Sequence, residues 1–463
     1  MSDAGVIRNA VTRNTVTSAG DRAERRRVLD VTTGATWGDV FTALTDRSHL
    51  VVGEGLSAMI DEAVRPLGLH ADVLLVDLGQ RVLTSVRVDP PPPQSVEGTL
   101  AGRAFQYGEF VAGFSDDGRR MLWVPMLDGT ERAGVVSLEL GPEVVDDLDF
   151  RRRCWTLSGL MGHIAIAKLP YSDRIRRIRA PRPLTVAAEL LWQLVPPRTF
   201  ATHNVCVTAL LEPYDRVAGD GYDYVVDLDT AYVAVFDGVG HDLAAGSATA
   251  LAVSAIRNAR RRGVTDLAAL AVEADVQMQA AGALPRFVTA ILARLDLRTG
   301  ELRYLVAGHP HPLLLRHGHL VGAFGATPRP PLGVGEYAAP VEEAVEWLEP
   351  GDRVVFYSDG ITEARGADGR FFGERRLVDL SERAELDEVS APETLRRLAA
   401  AVLEHQGGLL QDDATLLMVD WSATAHEHLL PSVARDVTAS TPPSQRPEKV
   451  RSSAAGGFRS PTA

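Results

Sequence analysis

The chain has 463 residues, of which 45% are hydrophobic and 24% are charged, and its formal net charge is −13. This balance predicts two or three globular domains with their own cores. The acidic charge argues against a nucleic-acid-binding protein, and the two cysteines are too few for a disulfide framework. No signal peptide and no apolar run of about 18 residues is recognisable, so we expect a cytoplasmic protein that does not bind membranes.

The first part of the chain predicts a disordered arm followed by a compact α+β domain. Residues 1–30 are polar and aperiodic. Over residues 31–170 we expect a helix at 55–68, strands at 71–78, 119–127 and 132–140, and a helix at 148–168. The segment "SVEGTLAGRAFQYGE", with the strands that follow it, resembles the GAF sensor-domain pattern. The resemblance implies a sensor domain that binds a small molecule; a PAS-like sensor fold and a ligand-free dimerisation module are the alternatives.

Residues 171–200 predict a helical linker, and residues 424–463 a disordered tail. The linker contains Pro181 and Pro183, followed by Ala188, Leu191 and Leu194 at the spacing of one helix face. That apolar face fits either a homodimer contact or an ordinary connector with one buried side. The tail is rich in Ser, Pro and Gly, as disordered segments are.

Acidic residues recur at predicted strand ends in the second half of the chain. Asp237 follows the apolar strand 232–236, and Asp359 follows the strand 354–357. Asp412 and Asp413 precede the strand 414–419, and Asp220 lies in a glycine-flanked turn between the strands 205–211 and 222–227. Taken singly, each Asp-Gly pair is an ordinary turn signal. Together, carboxylates at strand ends predict a site at one edge of a sheet, and oxygen donors alone favour Mg²⁺ or Mn²⁺ over zinc.

The order of the motifs "VAGDGYD", "FDGVGHD", "AGHPHP", "PLGV", "LEPGDRVVFYSDGITEAR" and "DDATLLMV" resembles the PPM family of metal-dependent protein serine/threonine phosphatases, in its sporulation stage II E branch. The resemblance covers about residues 184–420 and implies an αββα sandwich over residues 201–423. It implies two Mn²⁺ or Mg²⁺ ions held by Asp220, Asp237, Asp359, Asp412 and the carbonyl group of Gly238. Asp413 is the less favoured ligand of its pair. The four aspartates would act through a water that the two ions activate for attack on phosphorus.

The same resemblance implies a substrate and a regulatory setting. The substrate would be a phosphoserine or phosphothreonine on a regulatory protein of the anti-anti-sigma type, and the N-terminal domain would control the reaction. A different class of function is a scaffold that keeps the phosphatase fold without turnover. A third is a chain that serves mainly as a small-molecule sensor.

Several residues near these motifs have competing interpretations. Ala218, Gly221 and Asp242 depart from the family pattern, which leaves reduced activity open. The remaining candidates have simpler structural explanations: His309 and His311 at a strand end, His241 in a turn, Thr289 in a strand and the turn Pro331–Val334.

Overall fold

The computed structural model describes residues 36–212, 215–216, 219–240, 242–282, 287–334, 343–408, 410 and 412–439. The predicted arm of residues 1–30 lies outside the described residues, and so do Ala218 and His241. Among the described helices, none combines the length and the apolar character that crossing a membrane requires.

The N-terminal half is a six-stranded antiparallel sheet with helices on both faces. Its strand order is β3-β2-β1-β6-β5-β4. The strands are β1 (Leu69–Val76), β2 (Val82–Ser85), β3 (Gln94–Ser95), β4 (Val111–Phe114), β5 (Arg120–Asp128) and β6 (Glu131–Leu140). The helices are α1 (Trp37–Ser48), α2 (Leu56–Val64), α3 (Leu100–Tyr107) and α4 (Leu148–Lys168).

Two apolar cores hold this half together. One face of the sheet packs against α1, α2 and α4, and the other packs against α3. The predicted long helix of residues 148–168 has the observed bounds of α4, which begins after the capping side chain of Asp147. The GAF-like or PAS-like identity of this α+β unit stays a prediction.

The C-terminal half contains two antiparallel sheets. The first has the order β15-β12-β11-β10-β9, and the second has the order β14-β13-β16-β17-β8-β7. The strands are β7 (Thr199–Ala201), β8 (Cys206–Glu212), β9 (Asp220–Val226), β10 (Thr230–Gly238), β11 (Val288–Asp296), β12 (Glu301–Ala307), β13 (Leu313–Arg316), β14 (His319–Ala323), β15 (Ala344–Trp347), β16 (Asp352–Tyr357) and β17 (Ala414–Trp421). The helices are α5 (Asp173–Arg179), α6 (Val186–Leu194), α7 (Leu243–Arg261), α8 (Leu267–Ala280), α9 (Asp359–Thr362), α10 (Glu374–Leu386), α11 (Ala391–His405) and α12 (Ser432–Ala439).

These elements form four layers. Alternate residues of β10 show why: Val233 and Val235 enter the core between the two sheets, whereas Tyr232, Ala234 and Phe236 enter the core under α7 and α8. A third core joins the second sheet to α10 and α11. The predicted αββα sandwich is thereby confirmed.

The linker helix α6 has its apolar face covered within the same chain. Ala188 and Leu191 are buried in the core between the two sheets, and Trp192 and Leu194 pack against that core. The feature that motivated a homodimer through this helix is therefore used inside one chain, and the homodimer stays a prediction.

The C-terminal tail differs from the prediction of disorder from residue 424. A short 3₁₀ turn spans Ala425–His428, and α12 follows it. The Ser432 backbone N–H group donates to Glu109, and Val433 and Ala434 are buried. Helix α12 lies against α4 of the N-terminal half, which composition alone did not reveal. Residues 440–463 lie outside the described residues.

Ionic contacts join the two halves. Arg81 donates to Glu212 at 2.8 Å, and the Thr199 backbone N–H group donates to Glu131 at 2.8 Å. Arg396 of α11 reaches Glu97 at 2.6 Å. Because these contacts include buried carboxylates, the junction is sensitive to the ionisation of its members.

Candidate active site

The two sheets bring four of the predicted aspartates to one end of the sandwich. Asp220 begins β9 and lies directly opposite Asp237 near the end of β10. Asp359 opens the short helix α9 directly after β16, and Asp412 lies two residues before β17 begins. The turn predicted around Asp220 is in fact the first position of a strand. The side chains become more exposed from Asp220, which is 2% exposed, toward Asp359 and Asp412.

Asp220 is the best-anchored member of this aspartate cluster. Its Oδ2 atom accepts hydrogen bonds from the Ser358 hydroxyl at 2.6 Å and the Thr415 hydroxyl at 2.8 Å. The Ser358 oxygen in turn accepts from the backbone N–H group of Thr415. The second sheet therefore fixes a carboxylate of the first sheet. Sequence reasoning gave neither Ser358 nor Thr415 a role, although Ser358 precedes Asp359 directly and Thr415 lies two residues after Asp413.

The aspartates repel one another. Burial raises the pKa of Asp220 well above its ordinary value, and Asp237 and Asp413 add to the rise. Burial raises the pKa of Asp237 to about 7, with further repulsion from Asp359 and Asp412. The pKa of Asp359 is also raised, first by burial and then by Glu363 and Asp412. Such a cluster favours either protons or cations between its members.

Glycines let the backbone approach itself closely beneath the cluster. A Cβ atom on Gly219 would overlap the Gly238 carbonyl oxygen, and one on Gly360 would overlap the backbone of Asp413. The Thr249 hydroxyl of α7 donates to the Gly219 carbonyl oxygen at 2.5 Å. The start of β9 at Asp220 and the end of β10 at Gly238 are therefore packed together at backbone distance, where no larger residue fits at Gly219.

Asp413 supports the loop of Asp220. Its Oδ2 atom accepts from the backbone N–H groups of Gly219 at 2.9 Å and Asp220 at 3.5 Å. Asp412, by contrast, is exposed, and its Oδ1 atom accepts from the backbone N–H group of the neighbouring Asp413 at 2.9 Å. This arrangement is consistent with the preference for Asp412 over Asp413 as a ligand, which stays a prediction.

Two of the departures from the family pattern have local structural explanations. Asp242 caps α7, where its side chain accepts from the Ala245 backbone N–H group at 3.0 Å. At Gly221 a Cβ atom would lie 3.1 Å from the Thr249 methyl group, so the glycine relieves crowding.

His309 is buried beside the site and bonds to it indirectly. Its Nδ1 atom lies 2.9 Å from the Thr289 hydroxyl, and Thr289 is the cross-strand neighbour of Asp237. Burial lowers the pKa of His309 to about 3, which keeps the imidazole neutral. The histidine therefore supports the strand next to Asp237, in line with the structural interpretation made from the sequence.

The chemistry of the donor set fits hard divalent cations. The cluster offers only oxygen atoms, and burial together with repulsion between its carboxylates raises the pKa values of Asp220, Asp237 and Asp359. Within the described ranges, no group of three or more His, Cys, Asp and Glu side chains is already arranged to hold a metal ion. Binding would therefore take rotation of these side chains toward a common ion.

Comparison with known proteins adds independent information. The family model "Stage II sporulation protein E (SpoIIE)" matches residues 228–422. The chain is 27% identical over 139 residues to Protein IcfG of Synechocystis, covering 30% of this chain and 21% of IcfG. It is 24% identical over 245 residues to the phosphoserine phosphatase RsbU of Bacillus subtilis, covering 51% of this chain and 69% of RsbU. The solved SiaA-PP2C domain of Pseudomonas aeruginosa matches with a TM-score of 0.41 and 28% identity, covering 47% of this chain and 86% of that domain. This chain thus spans about a fifth of the length of IcfG.

Proposed function

We propose that the chain is a protein serine/threonine phosphatase of the SpoIIE type that requires Mn²⁺ or Mg²⁺. The match of the SpoIIE family model to residues 228–422 supports this proposal. The observation that carries the proposal is the gathering of Asp220, Asp237, Asp359 and Asp412 from two sheets at one end of the sandwich. The family match supplies the reaction class, and the donor chemistry supplies the cofactor class.

Five groups of the site would serve as metal ligands. Asp220, Asp237, Asp359, Asp412 and the Gly238 carbonyl group would hold two divalent ions. Such ions, when bound, acidify a water molecule and neutralise phosphoryl oxygens.

The surrounding groups would keep the ligands in place. Ser358 and Thr415 hold Asp220 through its Oδ2 atom and favour its ionised form. Asp413 and Thr249 fix the turn at Gly219. The exposed positions of Asp359 and Asp412 leave the outer side of the cluster open to a phosphorylated side chain on a protein surface.

The substrate we propose is a phosphoserine or phosphothreonine of a regulatory protein of the anti-anti-sigma type. The similarity to RsbU, whose name describes a phosphoserine phosphatase, supports this choice. Regulation by the N-terminal half is part of the same proposal. Its ionic contacts with β8 and α11 offer a physical connection between the two halves.

The test is hydrolysis of p-nitrophenyl phosphate and of a phosphoserine protein by the full chain, with Mn²⁺, with Mg²⁺ and with a chelator. We expect metal-dependent turnover that falls about 100-fold or more in Asp237→Asn. The matched control is Asp242→Asn, five residues away, which keeps a side chain able to cap α7 and should keep turnover. Equal turnover of the two variants would refute the assignment of Asp237.

The scaffold without turnover is a second candidate, because Gly221 and Asp242 depart from the family pattern beside the aspartates. The two candidates differ in metal binding as well as in activity. A scaffold predicts no turnover with either ion and no change in thermal stability when Mn²⁺ is added to the wild-type chain. A phosphatase held inactive by its N-terminal half would still be stabilised by Mn²⁺.

A further inference from the structure

A cavity of about 580 Å³ lies on the helix-covered side of the first sheet. It is enclosed by strands β9, β10 and β11, by the last turn of α7, by the start of α8 and by the end of the linker helix α6. Its volume falls in the range of small-molecule binding pockets.

The cavity is distinct from the aspartate cluster. Tyr232 lines it near the start of β10, whereas Asp237 lies five positions further along the same strand. At about 3.3 Å per residue, the two positions are roughly 16 Å apart. A ligand in the cavity therefore does not contact the aspartates.

Arginines dominate the charge of the lining. Arg257, Arg260, Arg261 and Arg294 line the cavity, together with the two acidic residues Asp223 and Asp227. Because four positive charges face two negative ones, the lining carries an excess of two positive charges. A phosphate monoester has about the opposite charge near neutral pH.

Two of the arginines are held in place and two remain available. Arg257 and Arg260 bind the two oxygens of the buried Asp223 at 2.5 and 2.7 Å. Arg294 donates only to the Thr265 carbonyl oxygen, at 3.3 Å, among its contacts with described residues. Arg261 is exposed at the end of α7 and has no ion pair with a described residue. An arginine that is free of a carboxylate partner can give a bidentate contact to a phosphate group.

Two buried donors in the lining have no partner among the described residues. The Tyr232 side chain is 3% exposed, and no described residue accepts a hydrogen bond from its hydroxyl group. The Nε atom of Arg260 is also buried and unpartnered within the described ranges, and its guanidinium group lies 4.4 Å from the centre of the Tyr232 ring. Buried donors in native proteins almost always have an acceptor, either in the protein or in a bound molecule, so these two donors in the wall of the cavity favour an acceptor beside them.

We propose that this cavity, the arginine pocket, binds a small molecule that carries a phosphate monoester group. Arg261 and Arg294 bind the phosphate, and the hydroxyl group of Tyr232 donates a hydrogen bond to it. The site is independent of the proposed phosphatase activity, because none of its residues belongs to the aspartate cluster.

The experiment is calorimetric titration of the full chain, in a chelator, with inorganic phosphate, AMP and adenosine. The chelator keeps divalent ions away from the aspartate cluster, whose negative charge disfavours anions. We expect AMP and phosphate to bind and adenosine not to bind. Tighter binding of AMP than of phosphate would support an organic monoester as the ligand, whereas equal affinities would overturn that identification in favour of the inorganic anion.

Neighbouring arginines give a matched pair of variants. Arg261→Ala should weaken binding about tenfold or more, since one charge-assisted contact is lost. Arg262→Ala removes the same charge one residue away, but Arg262 pairs with Glu273 at 3.0 Å and does not line the cavity, so binding should be unchanged. Tyr232→Phe should weaken binding several-fold while the melting temperature of the chain is kept or raised. Absence of binding by both phosphate and AMP, or equal binding by the two arginine variants, would overturn the proposal.

Discussion

Glu212 connects the pH of the solution to the stability of the junction between the two halves. It ends β8, is 4% exposed, and pairs with Arg81 of the N-terminal half. Burial raises its pKa from 4.5 to about 7, although Arg81 and Arg198 act in the opposite direction. Asp77 adds to the rise. The folded chain therefore retains a proton on Glu212 that the unfolded chain releases at lower pH.

The direction and size of the effect follow from this pKa. A raised folded-state pKa contributes stability that is fully present below pH 4.5 and is lost as the pH rises through about 7. Each unit of pKa corresponds to about 1.4 kcal/mol, so the rise corresponds to about 3 kcal/mol. Glu212→Gln keeps a neutral side chain at every pH. The free energy of unfolding of the variant, relative to that of the wild type, should therefore rise by about 3 kcal/mol as the pH is raised from 4.5 to 8.

The measurement is urea unfolding of both chains across that pH range, followed through the transition that includes β8. Arg81→Ala serves as a control, because removal of the cation should move the titration to higher pH. A stability difference between wild type and Glu212→Gln that does not change with pH would refute the reasoning. So would a variant that is less stable than the wild type at pH 8, since that result would mean that the ion pair outweighs its desolvation.

Three further predictions concern packing, the aspartate cluster and its support. Gly162→Ala should lower the free energy of unfolding by about 1–3 kcal/mol, because the new Cβ atom would overlap the Leu127 carbonyl oxygen. Gly159→Ala in the same helix should raise the free energy of unfolding by up to about 1 kcal/mol, because no neighbouring atom lies within 4 Å of the added Cβ atom. Thermal melting of the two variants is the measurement. In chelator, Asp237→Asn should stabilise the chain by about 1–2 kcal/mol, because repulsion between carboxylates is lost. Mn²⁺ should raise the melting temperature of the wild type and leave that of the variant unchanged. A variant that is less stable than the wild type in chelator, or that Mn²⁺ stabilises equally, would contradict the cation site. Thr289→Val should cost about 1–3 kcal/mol by leaving the buried His309 without its partner, and the cost should be constant from pH 5 to 8 because the imidazole stays neutral.

The sequence was most informative where apolar runs end in charged residues. The C-terminal ends of the strands at Asp237 and Asp359 were predicted to within two residues, because a buried strand needs a continuous apolar run. The strand β10 continues through Asp237 to Gly238, two residues beyond the predicted end. The αββα order followed from the resemblance that these motifs carry. The boundaries of the domains had no comparable signal and stay predictions.

Contacts between distant parts of the chain could not be predicted from the sequence. Ser358 and Thr415 bond to Asp220 across 138 and 195 residues, and no local pattern specifies such a pairing. The arginines of the arginine pocket lie on α7 and β11, and the whole of α8 separates these two elements in the sequence. Helix α12 was not predicted for a different reason, because the composition of Ser432–Ala439 does not stand out from that of the sequence that follows it.

The repulsion within the aspartate cluster bears on the choice between a phosphatase and a scaffold. A protein that needed only the sandwich would be more stable with an amide at Asp237, whose pKa is raised to about 7 by burial and by its acidic neighbours. The chain nevertheless supports the unfavourable charge with dedicated contacts, since Ser358 and Thr415 both donate to Asp220. Unfavourable local arrangements that are supported in this way concentrate at functional sites. The energetics of the site therefore favour a protein that uses these charges to bind cations over one that merely retains the fold.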